Sequence, residues 1–192
     1  GTVRPLEKWS SSSMGAIPIG YEISVTPLQI LRAYSVIANG GFLVKPFVVS
    51  EIYSPSGNII FKAIPEAKRI LSEKTATVMR EILKSVTEEG GTATTAALEG
   101  NQVAGKTGTA RMLDQKTKKY STDKYVSSFV GFVPADKPKI AMIVVIHEPK
   151  GAIYGGVVAG PVFKKIADEA LSYMNVPRDD SKEKGLLLVS NN

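Results

Sequence analysis

Residues Ile140–Ile146 read Ile-Ala-Met-Ile-Val-Val-Ile, the longest apolar run in the chain at seven residues. A bilayer span needs roughly 20 residues, so the run is not one. Its length and β-branched content fit a strand covered on both faces. Tyr125–Val133 precedes it across Pro134-Ala135-Asp136-Lys137-Pro138, and the two segments read as a hairpin. A further strand-like segment spans Gln102–Met112. The expectation is a three-stranded antiparallel sheet with cover on each side.

Helices to supply that cover are legible from their caps. Thr26-Pro27-Leu28-Gln29 has capping-box spacing, with proline at the first helical position. Leu28, Leu31, Val36 and Ile37 follow at helical spacing, and Asn39-Gly40-Gly41 stops the helix. A second helix is expected over Ser72–Glu89, with Ser72 as N-cap and Val78, Met79, Ile82, Leu83 and Val86 on its apolar stripe. A third is expected over Ala159–Met174, carrying Val162, Phe163, Ile166, Ala167, Ala170 and Leu171. Phe47–Tyr53 and Asn58–Lys62 read as short strands around Ser54-Pro55-Ser56-Gly57, and residues 1–20 read as irregular. The fold class is therefore α/β (α+β), an antiparallel sheet flanked by helices. Residues 1–176 form the folded part and 177–192 a linker or tail.

Composition narrows the chemistry. The chain has no cysteine and one histidine, His147, so disulfides, thiolate catalysis and a multi-histidine metal site are excluded. Net charge is +6, and residues 101–150 hold nine basic and four acidic groups. Lys116, Lys118, Lys119 and Lys124 cluster there without aromatic interleaving, which reads as a solvated, mobile loop from about 113 to 124 and not as a nucleic-acid site. His147 at a strand end, Glu88-Glu89 near a helix end, Asp179-Asp180 in the tail, and Tyr120 with Tyr125 all read as structural or solvated. The chain opens on Gly1 without an initiator methionine or signal peptide. It is read as a processed chain or a piece of a longer one.

The sharpest chemical signal is Lys106-Thr107-Gly108-Thr109. Strand alternation puts Lys106 and Gly108 on one face, Thr107 and Thr109 on the other. The lysine brings positive charge, the hydroxyls can donate to a carboxylate, and Gly108 lets a ligand approach the backbone. Alone, the tetrapeptide reads as an ordinary turn-proximal strand with an exposed lysine.

Its surroundings give it meaning. Gly20-Tyr21-Glu22-Ile23-Ser24-Val25-Thr26-Pro27-Leu28-Gln29, Gly91-Thr92-Ala93 with Ala96, Ala104–Ala110, Ser128–Ala135, and Tyr154-Gly155-Gly156 with Pro161-Val162-Phe163 occur in one order. In that order the chain resembles the class B penicillin-binding proteins, the peptidoglycan transpeptidases, over about residues 1–176. The match is to the C-terminal part of the transpeptidase domain, within the penicillin-binding and serine β-lactamase-like fold. A serine β-lactamase fits less well.

The resemblance implies roles. Lys106 would be catalytic, assisting proton transfer. Thr107, Gly108 and Thr109 would bind substrate, the hydroxyls holding its terminal carboxylate and the Thr109 N–H forming half an oxyanion hole. The partners implied are peptidoglycan stem peptides, β-lactams and the N-terminal remainder of the same domain. The parent would be membrane-anchored at the extracytoplasmic face, within a cell-wall synthesis complex, with no cofactor, metal or nucleic acid. The alternative is a non-catalytic β-lactam sensor or peptidoglycan-binding module. The family's Ser-x-x-Lys nucleophile motif has only poor matches, Ser121–Lys124 and Ser181–Lys184, both after the Lys-Thr-Gly. Ser56-Gly57-Asn58 imitates the family's Ser-x-Asn but falls in a turn. The chain alone is expected to be inactive.

Overall fold

A computed structural model describes residues 1–114, 117 and 119–178. In chain order the elements are β1 (Thr2–Val3), α1 (Ser13–Ala16), β2 (Ile23–Ser24), α2 (Pro27–Ala38), β3 (Phe42–Val44), β4 (Glu51–Tyr53) and β5 (Ile59–Lys62). They continue as β6 (Ala67–Arg69), α3 (Glu73–Lys84), β7 (Ala104–Leu113), β8 (Tyr120–Val133), β9 (Ile140–His147), α4 (Gly155–Val158) and α5 (Gly160–Tyr173).

The centre is the expected antiparallel sheet, in the order β7-β8-β9. Both faces are covered. Phe129 and Val133 on β8 join Ala93, Ala96, Phe163, Ala167 and Leu171 in one core, with Ile140, Met142, Val144 and Ile146 of β9 packed on it. Phe129 and Phe163 meet edge to face with centroids 4.8 Å apart, both fully buried. On the other face Ala104 and Phe132 pack with Ala38 of α2 and Leu83 of α3, and Ala141 of β9 lies against them. The apolar run of β9 therefore has a partner on each side, which is why it does not alternate.

Local chemistry builds the helices as expected. The Thr26 side chain accepts from the Gln29 N–H at 3.2 Å while Gln29 Oε1 accepts from the Thr26 N–H at 2.9 Å, a complete capping box. Ser72 Oγ accepts from the Thr75 N–H at 3.0 Å at the head of α3. That helix ends at Lys84, short of the expected Glu89. The chain instead tightens: the Thr87 N–H donates to the Lys84 carbonyl, and buried Thr87 Oγ1 donates to the Val103 carbonyl at 2.8 Å. This draws the following turn toward the start of β7.

Two further expectations change. The opening segment is ordered by pairing and polar contacts: β1 pairs with β2, and Ser13 Oγ, fully buried, donates to Glu22 Oε2 at 2.7 Å. Glu22 takes a left-handed backbone, φ 62°. The loop expected over 113–124 is shorter, because β7 reaches Leu113 and β8 begins at Tyr120, opposite Leu113. Residues 115, 116 and 118, with Lys116 and Lys118, lie outside the described residues, as do 179–192 with Asp179-Asp180 and the Ser181–Lys184 string.

Candidate active site

Strand β7 carries the motif at the margin of the sheet. Lys106 lies opposite Val130, Thr107 opposite Phe129, Gly108 opposite Ser128 and Thr109 opposite Ser127. Since β7 pairs only with β8 among the described residues, its other edge is unpaired there and can meet a ligand's main chain. Lys106 is exposed, and its Nζ donates to the Thr107 carbonyl at 3.2 Å. Among the described residues no carboxylate pairs with Lys106, so its charge is available to an anion.

The two threonines share a face, as alternation requires, and each has a polar neighbour from another element. Thr107 Oγ1 lies 3.2 Å from Thr92 Oγ1, a hydroxyl pair in which either can donate. Thr109 Oγ1 accepts the Gly155 N–H at 3.1 Å, where α4 begins. Close approach makes this possible. A Cβ on Gly155 would stand 2.2 Å from the Ser128 carbonyl oxygen and 2.6 Å from that of Gly108. A Cβ on Gly156 would stand 2.0 Å from the Thr92 carbonyl oxygen. A Cβ on Gly108 would meet Ser128 Oγ at 2.6 Å, so the serine of the neighbouring strand lies against Gly108 where a side chain would stand. Thr92 and Gly155 carry no chemical signature of their own. Sequence reasoning found their segments only through the ordered Gly-Thr-Ala and Tyr-Gly-Gly matches, with no role attached.

The remaining candidates separate from this site. Ser121 lies in β8 and not in a loop, within a register irregularity between the pairs Leu113–Tyr120 and Arg111–Tyr125. Its Oγ donates to Asp123 Oδ1 at 2.7 Å and accepts from the Lys124 N–H at 3.1 Å. Lys124 Nζ is in turn 3.3 Å from a Glu148 carboxylate oxygen. Lys124 Nζ is thus engaged by Glu148, and it is the Lys124 main-chain N–H, not its side chain, that bonds to the Ser121 hydroxyl. Ser56-Gly57-Asn58 forms the β4–β5 turn, its side chains bonded to one another and to Ser54. Tyr120 packs edge-on against Tyr21, centroids 5.2 Å apart. His147 ends β9 exposed, and Glu88 accepts from Gln102 Nε2 at 2.7 Å. The described residues contain no cluster of three metal-ligating side chains. A cavity of about 760 Å³ lies beside the start of β7 among Thr87, Leu98, Asn101, Ala135 and Val176, and includes none of Lys106–Thr109.

The helix-covered antiparallel sheet with Lys-Thr-Gly-Thr on its outer strand belongs to a known class of domain, the penicillin binding protein transpeptidase domain. Residues 2–168 match the family model of the penicillin binding protein transpeptidase domain. The chain belongs to that family, and its relatives are class B penicillin-binding proteins. It is 38% identical over 188 residues to stage V sporulation protein D of Bacillus subtilis, covering 96% of this chain and 29% of that protein. It is 36% identical over 185 residues to penicillin-binding protein PbpB of Mycolicibacterium smegmatis, covering 92% and 28%. Penicillin-binding protein 3 of Mycobacterium tuberculosis in complex with ampicillin superposes with a TM-score of 0.85 at 34% identity, over 92% of this chain and 41% of that one. The chain thus spans well under half the length of these relatives. No helix among the described residues is long and apolar enough to cross a membrane.

Proposed function

We propose that this chain is the C-terminal part of the transpeptidase domain of a peptidoglycan D,D-transpeptidase. The carrying observation is Lys106, Thr107 and Thr109 on the outer strand β7, with both threonine hydroxyls engaged by Thr92 and Gly155. The name of a relative, the peptidoglycan D,D-transpeptidase FtsI of Buchnera aphidicola, supports the same reading.

In the parent, a serine from the remainder of the domain attacks the penultimate D-alanine carbonyl of a stem peptide. The serine oxygen–carbon bond forms, the amide C–N bond breaks, and terminal D-alanine leaves with a proton. An amine of a second stem peptide then attacks the acyl-serine, forming the cross-link and returning the serine. Lys106 lends positive potential and assists proton transfer to the leaving nitrogen. Thr107 and Thr109 donate to the terminal carboxylate, and the Thr109 N–H is one oxyanion donor. Gly108 admits the substrate backbone. β-Lactams occupy the same place and leave a long-lived acyl-serine. The parent works at the extracytoplasmic face of the membrane, in a cell-wall synthesis assembly, and this chain without the serine is inactive.

The test is labelling of the full-length parent with fluorescent penicillin, paired with turnover of a stem-peptide donor. Covalent labelling with cross-linked product supports the reading. Labelling without turnover makes the parent a sensor, and absence of labelling overturns the assignment. Lys106→Ala should reduce both signals by about a hundredfold or more.

A further inference from the structure

Thr107 and Thr109 differ in what holds them. The Thr109 oxygen accepts a main-chain N–H from Gly155 at 3.1 Å, so that bond leaves the Thr109 hydroxyl hydrogen free to donate elsewhere. Thr107 instead meets another hydroxyl, Thr92 Oγ1, at 3.2 Å, and the pair has two possible directions. If Thr107 donates to Thr92, its single hydrogen is consumed inside the protein. If Thr92 donates, the Thr107 hydrogen is free.

Resting on the site reading above, we propose that Thr92 is a positioning residue for carboxylate recognition. An anion in front of β7 accepts from Thr107, Thr107 accepts from Thr92, and the chain of hydroxyls polarises toward the charge. Thr109, backed by the Gly155 amide, supplies the second donor. Both hydrogens then point the same way at no cost in lost internal bonds.

Three contacts place the Thr92 hydroxyl for this task. Gly91 lies so close to the Ser85 and Val86 carbonyls that a Cβ would come within 2.4 Å of each. The Ala93 N–H donates to the Val86 carbonyl at 2.8 Å, and Ala93 is buried in the core beside Phe163. Gly156 closes on the Thr92 carbonyl from the other side. A residue with its backbone held on both sides offers its hydroxyl from a fixed point. Thr92 acts only through Thr107, so its effect should track the ligand's negative charge.

The experiment uses the full-length parent, with the acylation rate constant measured for a carboxylate-bearing β-lactam and for its methyl ester. Thr92→Val keeps the shape and removes the donor. It should lower the rate on the carboxylate by about three- to tenfold, and lower the rate on the ester by less than about twofold. Thr92→Ser should recover most of the loss, because the donor returns. Equal losses on acid and ester, or an unchanged rate on the acid, overturns the relay. Thr107→Val and Thr109→Val separate the two levels. If they cut the carboxylate rate while Thr92→Val does not, the relay is wrong and the site reading stands. If none of the three changes it, the site reading itself has failed.

Discussion

Lys84 Nζ lies 2.6 Å from Asp136 Oδ1, tying the last turn of α3 to the turn between β8 and β9. Glu81 Oε1, one turn earlier on α3, is 2.8 Å from the same ammonium. The Lys84 stem is buried while its head reaches two carboxylates that are 60% and 71% exposed. Burial pulls the Lys84 pKa down, but the hydrogen bonds and charges of Asp136 and Glu81 outweigh it, and the net shift is upward. A cation with a raised folded pKa adds stability that is complete below its unfolded value, roughly 10.4. That stability is lost as pH climbs through the folded value.

Lys84→Met, which keeps a stem and removes the charge, should therefore cost about 0.5–1 kcal/mol, since the carboxylates are well solvated. The deficit should hold from neutral pH to about 10 and close above it. Denaturant midpoints across pH check this, and a deficit that grows above pH 10 contradicts it. Lys84→Ala also loses the buried stem and should cost about 1–2 kcal/mol at neutral pH.

The Phe129–Phe163 contact joins β8 to α5 in the larger core. Phe163→Ala should cost about 3–5 kcal/mol, because the site is fully enclosed and collapses poorly. Phe61→Ala on β5, where the ring is 47% exposed, should cost far less. Equilibrium unfolding of the two variants measures the difference, and similar losses would contradict the assigned core.

Gly155 is the position where a single methyl should damage the site. Its Cβ would press on the Ser128 and Gly108 carbonyl oxygens, main-chain atoms that cannot swing aside. Gly155→Ala should push α4 off β7, break the amide's bond to Thr109, and lower β-lactam acylation of the parent by about tenfold or more. Gly15→Ala, with no atom within 4 Å of the added carbon, serves as the control. Equal acylation in both variants would show that the close approach does not matter.

The chain by itself should form no penicillin adduct. Ser121 is bonded to Asp123, and Lys124 is paired with Glu148, so neither is prepared for attack. Intact-mass spectrometry after incubation with excess benzylpenicillin reads the result. A stoichiometric adduct abolished by Ser121→Ala would place the nucleophile in this chain.

What the amino-acid sequence determined by itself is what short-range physics controls. The Thr26 and Ser72 caps bond to residues three positions on, so their spacing is sufficient to find them. The apolar run of β9 demanded cover on two faces wherever that cover came from. The motif on β7 and its neighbouring segments were legible as an ordered pattern. Tertiary structure decided the rest, because the deciding contacts join distant residues. The end of α3 depends on Thr87 reaching Val103, sixteen positions away. The pairs β1–β2 and β3–β6 involve strands of two or three residues, too short for any periodicity to register. Thr92 and Gly155 meet Thr107 and Thr109 across 15 and 46 positions. A threonine and a glycine have no distinguishing chemistry until the fold puts a hydroxyl beside one and two carbonyls against the other.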